Sequence, residues 1–154
     1  MDVGTSLTES FTVTSADGTE HQIDVTVNGT EDPTIISNYQ PGAVTEDTAG
    51  ILTDSGSLTI TDLDAGEALF NTTVTKLNNG DGQSPLGNLT IDANGNWTYT
   101  VDNSLSGVQE LGDGITRDEV FQVTSIDGSV SQTIVVTITG VDGARPLSAE
   151  SLEL

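Results

Sequence analysis

Apolar and polar residues alternate with period two along most of this chain, and clusters of Gly, Asn and Asp bound the alternating stretches. That pattern marks half-buried β-strands separated by turns. Two such stretches, 7–15 and 19–28, flank Ala16-Asp-Gly18, which predicts a hairpin with glycine at its positive-φ turn position. Thr30-Glu-Asp-Pro33 ends the pairing, because proline has no N–H to give to a ladder. Beyond this linker the pattern predicts seven strands: A at 34–45 with a continuation at 51–53, B at 57–61, C at 67–77, D at 87–91, E at 96–101, F at 115–125 and G at 129–139. Strand E puts Trp97, Tyr99 and Val101 on one face, and strand G alternates Ile134, Val136 and Ile138 with Val135 and Thr137. Leu105, Val108 and Leu111 recur at spacing three, predicting a short helical turn that plugs one end. No segment carries a long amphipathic helix. The predicted fold class is all-β, a seven-stranded antiparallel Ig/cadherin-like β-sandwich preceded by a hairpin.

The octapeptide Phe11-Thr-Val-Thr-Ser-Ala-Asp-Gly18 returns 110 residues later as Phe121-Gln-Val-Thr-Ser-Ile-Asp-Gly128. The match continues as Gln22/Gln132 and, after a one-residue slip, as Ile23/Ile134, Val25/Val136, Val27/Ile138 and Gly29/Gly140. Repetition at domain length indicates an array of stacked units. The chain is accordingly divided into 1–33, the last two strands and linker of a preceding repeat; 34–142, a complete repeat; and 143–154, a tail that breaks the pattern and is expected to be disordered or foreign to the repeat. The hairpin's apolar face (Phe11, Val13, Ile23, Val25, Val27) needs a cover. Packing on an exposed edge of the sandwich, or self-association through residues 7–28, is expected to supply one.

Composition narrows the function. Hydrophobic residues make up 34% and aromatic residues 4%, so the core rests on Val, Ile, Leu and Thr, which favours strands. The net charge is −21, from 24 acidic residues against Lys76, Arg117 and Arg145. Such a surface repels phosphates and anionic headgroups, so neither nucleic acid nor a membrane is an expected partner. No apolar run approaches the roughly 18 residues of a membrane span. Met1 leads directly into polar residues without a signal-peptide pattern, and the chain is expected to be cut from a longer one. The absence of cysteine removes disulfides as staples and makes metal ions the attractive cross-link.

Catalytic ingredients are scarce. His21 is the only histidine and lies on the hairpin, and no serine sits beside a plausible base, so nucleophilic triads are not expected. Carboxylate pairs suited to glycoside hydrolysis are abundant, but one Trp, two Tyr and three Phe, mostly core-facing, leave no sugar platform. Lys76 lacks an asparagine on strand G for a pilin-like isopeptide bond. The reading is non-enzymatic.

Four segments in order carry a resemblance: Gly56-Ser-Leu-Thr-Ile-Thr-Asp-Leu-Asp-Ala-Gly-Glu67, Leu89-Thr-Ile-Asp-Ala-Asn-Gly-Asn-Trp-Thr-Tyr-Thr-Val-Asp-Asn-Ser104, Val108-Gln-Glu-Leu-Gly112 and Phe121-Gln-Val-Thr-Ser-Ile-Asp-Gly128. Together they resemble the VCBS repeat of long bacterial RTX-type surface adhesins. The resemblance covers about 34–142 fully and 5–33 as the end of a second copy. It implies a cadherin- or Ig-like sandwich, type I secretion to the bacterial cell surface, calcium at repeat junctions, and a role in adhesion or biofilm formation. The Gly-Thr-Asn-Asp-x-Pro linker of the family is close at Gly29-Thr-Glu-Asp-Pro33 and degraded at Gly140-Val-Asp-Gly-Ala-Arg-Pro146.

Alternating strands bring the B–C, D–E and F–G connections to the linker end of the sandwich. That end then collects Glu31, Asp32, Asp62, Asp64, Glu67 and Asp127 as candidate metal ligands, with Asp92, Asn94 and Asn96 nearby. Calcium takes six to eight oxygens at about 2.3–2.6 Å. Asp62 and Asp64, two apart on a strand, are expected to face the same way, and crowded carboxylates without a Lys or Arg favour a cation. Asp92-Ala-Asn-Gly-Asn96 is explained by a hairpin turn. At the far end Glu46, Asp47 and Asp142, with Asp81, Glu110 and Asp113, are expected to form half of a second site.

Two functions are weighed. One is a rigid, calcium-braced extracellular spacer or presenting module whose partners are neighbouring repeats. The other is a calcium-dependent module that binds a host or matrix glycan or protein, for which Tyr39 is the one candidate exposed aromatic.

Overall fold

The computed structural model describes residues 1–142, so the tail expectation for 143–154 lies outside the described residues. The strands are β1 (Ser6–Thr14), β2 (Glu20–Asn28), β3 (Ile35–Ser37), β4 (Gly42–Thr45), β5 (Ile51–Ser57), β6 (Thr59–Thr61), β7 (Thr75–Leu77), β8 (Asn88–Ile91), β9 (Asn96–Asp102), β10 (Thr116–Thr124) and β11 (Ser131–Thr139). One short helix, α1 (Ser106–Gln109), lies between β9 and β10.

Alternation along β9, β10 and β11 dictates which faces meet. One sheet runs β4-β11-β10-β7, with β4 parallel to β11 and the other pairs antiparallel. The other runs β5-β9-β8, and β6, separated from β5 only by Leu58, extends this layer by pairing with β3. Trp97, Tyr99 and Val101 from one sheet meet Phe121, Ile134 and Val136 from the other in a single core. Tyr99 and Phe121 pack edge to face at 5.8 Å. Each such large side chain, fully buried, contributes about 1.5–3 kcal/mol. The result is the Ig-like β-sandwich that the pattern predicts.

Three boundaries differ from the sequence reading. Residues 51–53 start the second strand instead of continuing the first. Asp47 adopts a left-handed conformation (φ 61°), and Asn103 fixes it by accepting the Asp47 N–H at 3.0 Å and donating to its carboxylate at 2.9 Å. The chain therefore reverses before Ile51. Strand A is itself split: β3 joins one sheet, and after a left-handed Asn38 (φ 64°) the chain crosses to β4 in the other. At this crossing the Tyr39 hydroxyl accepts the Val135 N–H at 3.1 Å and its ring packs on the core, so Tyr39 offers no free binding platform. Strand C shrinks to β7 plus a single bridge between Phe70 and Ser125. Asn71 accepts the Thr73 N–H at 2.9 Å, a local turn that competes with the ladder. In the helical plug, Val108 is fully buried, whereas Leu105 is exposed.

The N-terminal hairpin forms with nine matched pairs, from Ser6–Asn28 to Thr14–Glu20. Every residue of both strands is exposed, so it does not pack on an edge of the sandwich as expected. One edge, β7, is three residues long and carries Lys76, and short charged edges disfavour extra strands.

Close packing around Trp97 gives a direct test. A Cβ at Gly56 would lie 2.5 Å from the Trp97 ring, whereas at Gly50 nothing lies within 4 Å. Gly56→Ala is expected to lower stability by about 1–3 kcal/mol in urea unfolding. Gly50→Ala should stay within about 0.5 kcal/mol.

Candidate metal centre

The linker end is built by three connections. The strand containing β6 runs into a turn at Asp62–Asp64. There the Asp62 Oδ1 accepts the Asp64 N–H at 2.8 Å, and its Oδ2 accepts the Thr34 hydroxyl. This local turn, and not the strand pleat expected from the spacing, brings the two carboxylates together. The side chain between them, Leu63, points into solvent at 84% exposure. Glu67 follows on the same connection, its N–H donating to the Asp64 carbonyl at 3.3 Å. From the linker, the Asp32 N–H donates to Asp64 Oδ2 at 3.0 Å. From the β10–β11 turn comes Asp127, whose carboxylate accepts the Ser129 N–H at 3.2 Å.

Two triads result, Asp62/Asp64/Glu67 and Glu31/Glu67/Asp127, each with carboxylate oxygens within 4.8 Å of one another. Glu67 belongs to both. Burial, then the charges of Glu31, Asp62, Asp64 and Asp127, raise the Glu67 pKa. Hydrogen bonds from Ser125 and Ser129 lower that of Asp127. Asp64 is 3% exposed, and its Oδ1 has no hydrogen-bond partner; nor has Glu67 Oε2. The Met1 ammonium approaches Asp64 Oδ1 at 3.6 Å, an ion pair too long for a hydrogen bond. Buried carboxylate oxygens left without donors are costly. A hard cation with oxygen preference satisfies them, so the donor set fits calcium.

Residues 31–140, well over half of the chain, match the family model of the bacterial cadherin-like domain. The chain belongs to this family. A search of the curated proteins finds no match.

Within the bacterial cadherin-like domain, five of the six ligands predicted at the linker end fall into the two triads: Glu31, Asp62, Asp64, Glu67 and Asp127. Asp32 contributes its backbone N–H instead. Asp92 is absent from both triads; it accepts the N–H groups of Asn94 and Asn96 at 3.0 and 2.9 Å, the turn role expected of it. The sequence reading missed Asp2, whose carboxylate reaches the Ala65 N–H at 3.4 Å, and the Thr34 hydroxyl, itself bonded to Ser129 at 3.0 Å. No spacing signal connects these residues, because they meet only when the linker folds across the turn.

The far end does not assemble likewise. Among the described residues no acidic triad forms there. Glu46 is buried, and its Oε2 accepts the Val141 N–H at 3.1 Å. Asp47 is occupied by Asn103 and Gln109, which lower its pKa in that order. Asp142 stays exposed. Asp81 and Glu110 line a surface cavity of about 380 Å³ beside Arg117, and Asp113 is exposed.

The raised Glu67 pKa sets a pH dependence. In the folded metal-free domain Glu67 holds its proton to higher pH than in the unfolded chain. Stability should therefore fall as pH rises from the ordinary glutamate range through the folded Glu67 titration. Asp127 acts with the opposite sign and in a lower window, below the ordinary aspartate range. Melting in EDTA across this range should show a decline that Glu67→Gln flattens. Parallel curves for the two proteins would refute the assignment.

Proposed function

We propose that this domain is a calcium-braced extracellular repeat of VCBS type, serving as a spacer or presenting module in an RTX-type bacterial adhesin exported by type I secretion. Adhesion or biofilm formation is the process it would serve. The observation that carries the reading is the pair of buried, donor-free oxygens, Asp64 Oδ1 and Glu67 Oε2, among carboxylates from the linker and two loops. Calcium supplies positive charge and bonds to oxygens from separate segments. Residues Glu31, Asp62, Asp64, Glu67 and Asp127 would hold it, with the linker thereby fixed to the sandwich.

The aromatic residues support a spacer over a glycan binder. Within the complete repeat Phe70, Trp97, Tyr99 and Phe121 are buried in the core, and Tyr39 is engaged at the sheet crossing; the one exposed aromatic, Phe11 at 52%, stands on the N-terminal hairpin. No helix among the described residues is long and apolar enough to cross a membrane. A tandem of two repeats, titrated with calcium and followed by small-angle scattering, should stiffen into an extended rod. An unchanged scattering profile at saturating calcium defeats the bracing reading. Glycan-array binding that survives Asp62→Asn/Asp64→Asn would favour a binding module.

A further inference from the structure

The exposed hairpin has a counterpart inside the same molecule. β1 pairs with β2 so that Phe11 opposes Ile23 and Glu9 opposes Val25; in β10 and β11 Phe121 opposes Ile134 and Glu119 opposes Val136. The two hairpins thus share register residue for residue, although the second has one more residue in its turn. Their bases also agree. The Gly29 N–H donates to Thr5 O at 2.9 Å as the Gly140 N–H donates to Ile115 O at 2.8 Å. A Cβ on either glycine would collide with the preceding turn, at 2.2 Å from Asp2 O or 2.5 Å from Gly112 O.

What differs is the cover. Phe121 and Val136 are 0% exposed, whereas Phe11 and Val25 are 52% and 46% exposed. In the complete repeat, three things cover this unit: the opposite sheet across its apolar face, β7 against β10 at Val120–Gln122, and β4 running parallel to β11 at Val136–Thr139. Among the described residues, nothing pairs with or covers the corresponding parts of the N-terminal hairpin: its face, the edge at Ser10–Thr12 and the edge at Val25–Asn28.

We infer that residues 1–28 are a preformed interaction surface for the part of a cadherin-like repeat that precedes its last two strands, a polypeptide equivalent to residues 31–110 of this chain, which carries β3 to β9. The match is specific because it must satisfy one face and two edges at once. One edge takes a short antiparallel strand like β7 and the other a parallel strand like β4. A flat apolar patch would accept many partners; this surface accepts one fold. The inference does not depend on metal binding.

The test joins a copy of residues 31–110 directly ahead of Met1 in the full chain. Met1 occupies the place of Leu111 against the linker glycine, so the 110-residue period continues unbroken. Amides of β1 and β2 in this protein should exchange at least about a hundredfold more slowly than in the original chain, as a cooperatively buried unit requires. Val25→Asp in the extended protein should abolish that protection while leaving the melting of 34–142 in place. Unchanged exchange in 6–28, or an added segment that stays unprotected, overturns the proposal. So does a dimer of the original chain in sedimentation with those amides already protected, because the cover is then a second copy.

Discussion

Replacing Arg117 with methionine is expected to cost about 3–5 kcal/mol, because it strands a carboxylate in the middle of the sandwich. Glu119 is fully buried on β10, and among the described residues three groups serve it. Arg117 Nε donates to its Oε1 at 2.8 Å; the Gly87 N–H and the Tyr99 hydroxyl donate to its Oε2 at 2.8 and 3.3 Å. Burial first, then the Glu119 charge, push the Tyr99 phenol up, so it remains a neutral donor. Arg117 in turn reaches Gln83 and the Ser84 carbonyl, tying the loop before β8 to β10. Removing the guanidinium leaves the negative charge with two neutral donors and no counter-charge. Arg117→Met/Glu119→Gln should recover more than half of the loss, since the amide keeps an acceptor for Gly87 without the charge. Urea unfolding at fixed calcium measures both variants. A single-mutant loss under about 1 kcal/mol would show that Gly87 and Tyr99 suffice, against the range for broken buried pairs.

Millimolar calcium is expected to raise the melting temperature by about 10 °C. Binding to the folded state alone adds about 2.7 kcal/mol at a hundredfold excess over Kd, and each kcal/mol moves a domain of this size by about 4 °C. Asp62→Asn/Asp64→Asn should remove most of that rise, because Asp64 carries one of the two donor-free buried oxygens. Without calcium the same variant should melt at or above the unmodified protein, since it relieves like-charge repulsion around Glu67. Magnesium should shift the melt less, because it demands tighter octahedral geometry. Equal shifts from calcium, magnesium and matched sodium chloride would mean screening of the −21 net charge and no site.

The alternating pattern by itself determined the fold class. Period two in β9, β10 and β11 places Trp97, Tyr99, Phe121, Ile134 and Val136 on inward faces, and two such faces have only each other to cover them. Alternation of strand direction likewise sufficed to send Glu31, Asp62, Asp64, Glu67 and Asp127 to one end. The same period carried an unread signal. Glu119 stands in phase with Phe121 and Val123, and a charge at a core-facing position announces a buried network.

The tertiary structure decided the rest, and for physical reasons that do not lie along the chain. Whether 51–53 continued one strand or began the next turned on Asp47, held left-handed by Asn103, 56 residues away. Strand C breaks just after Asn71, whose N–H still bonds the Thr124 carbonyl at 2.9 Å while its side chain turns back to accept the Thr73 N–H. The Asp32 N–H donates to Asp64 because the linker crosses it at hydrogen-bonding distance, a contact that no spacing announces. That the hairpin needs a cover was legible in sequence, but that no edge of the sandwich supplies one was not. Its apolar face reads the same as that of β10 and β11, and only the presence or absence of a facing sheet separates a core from a surface.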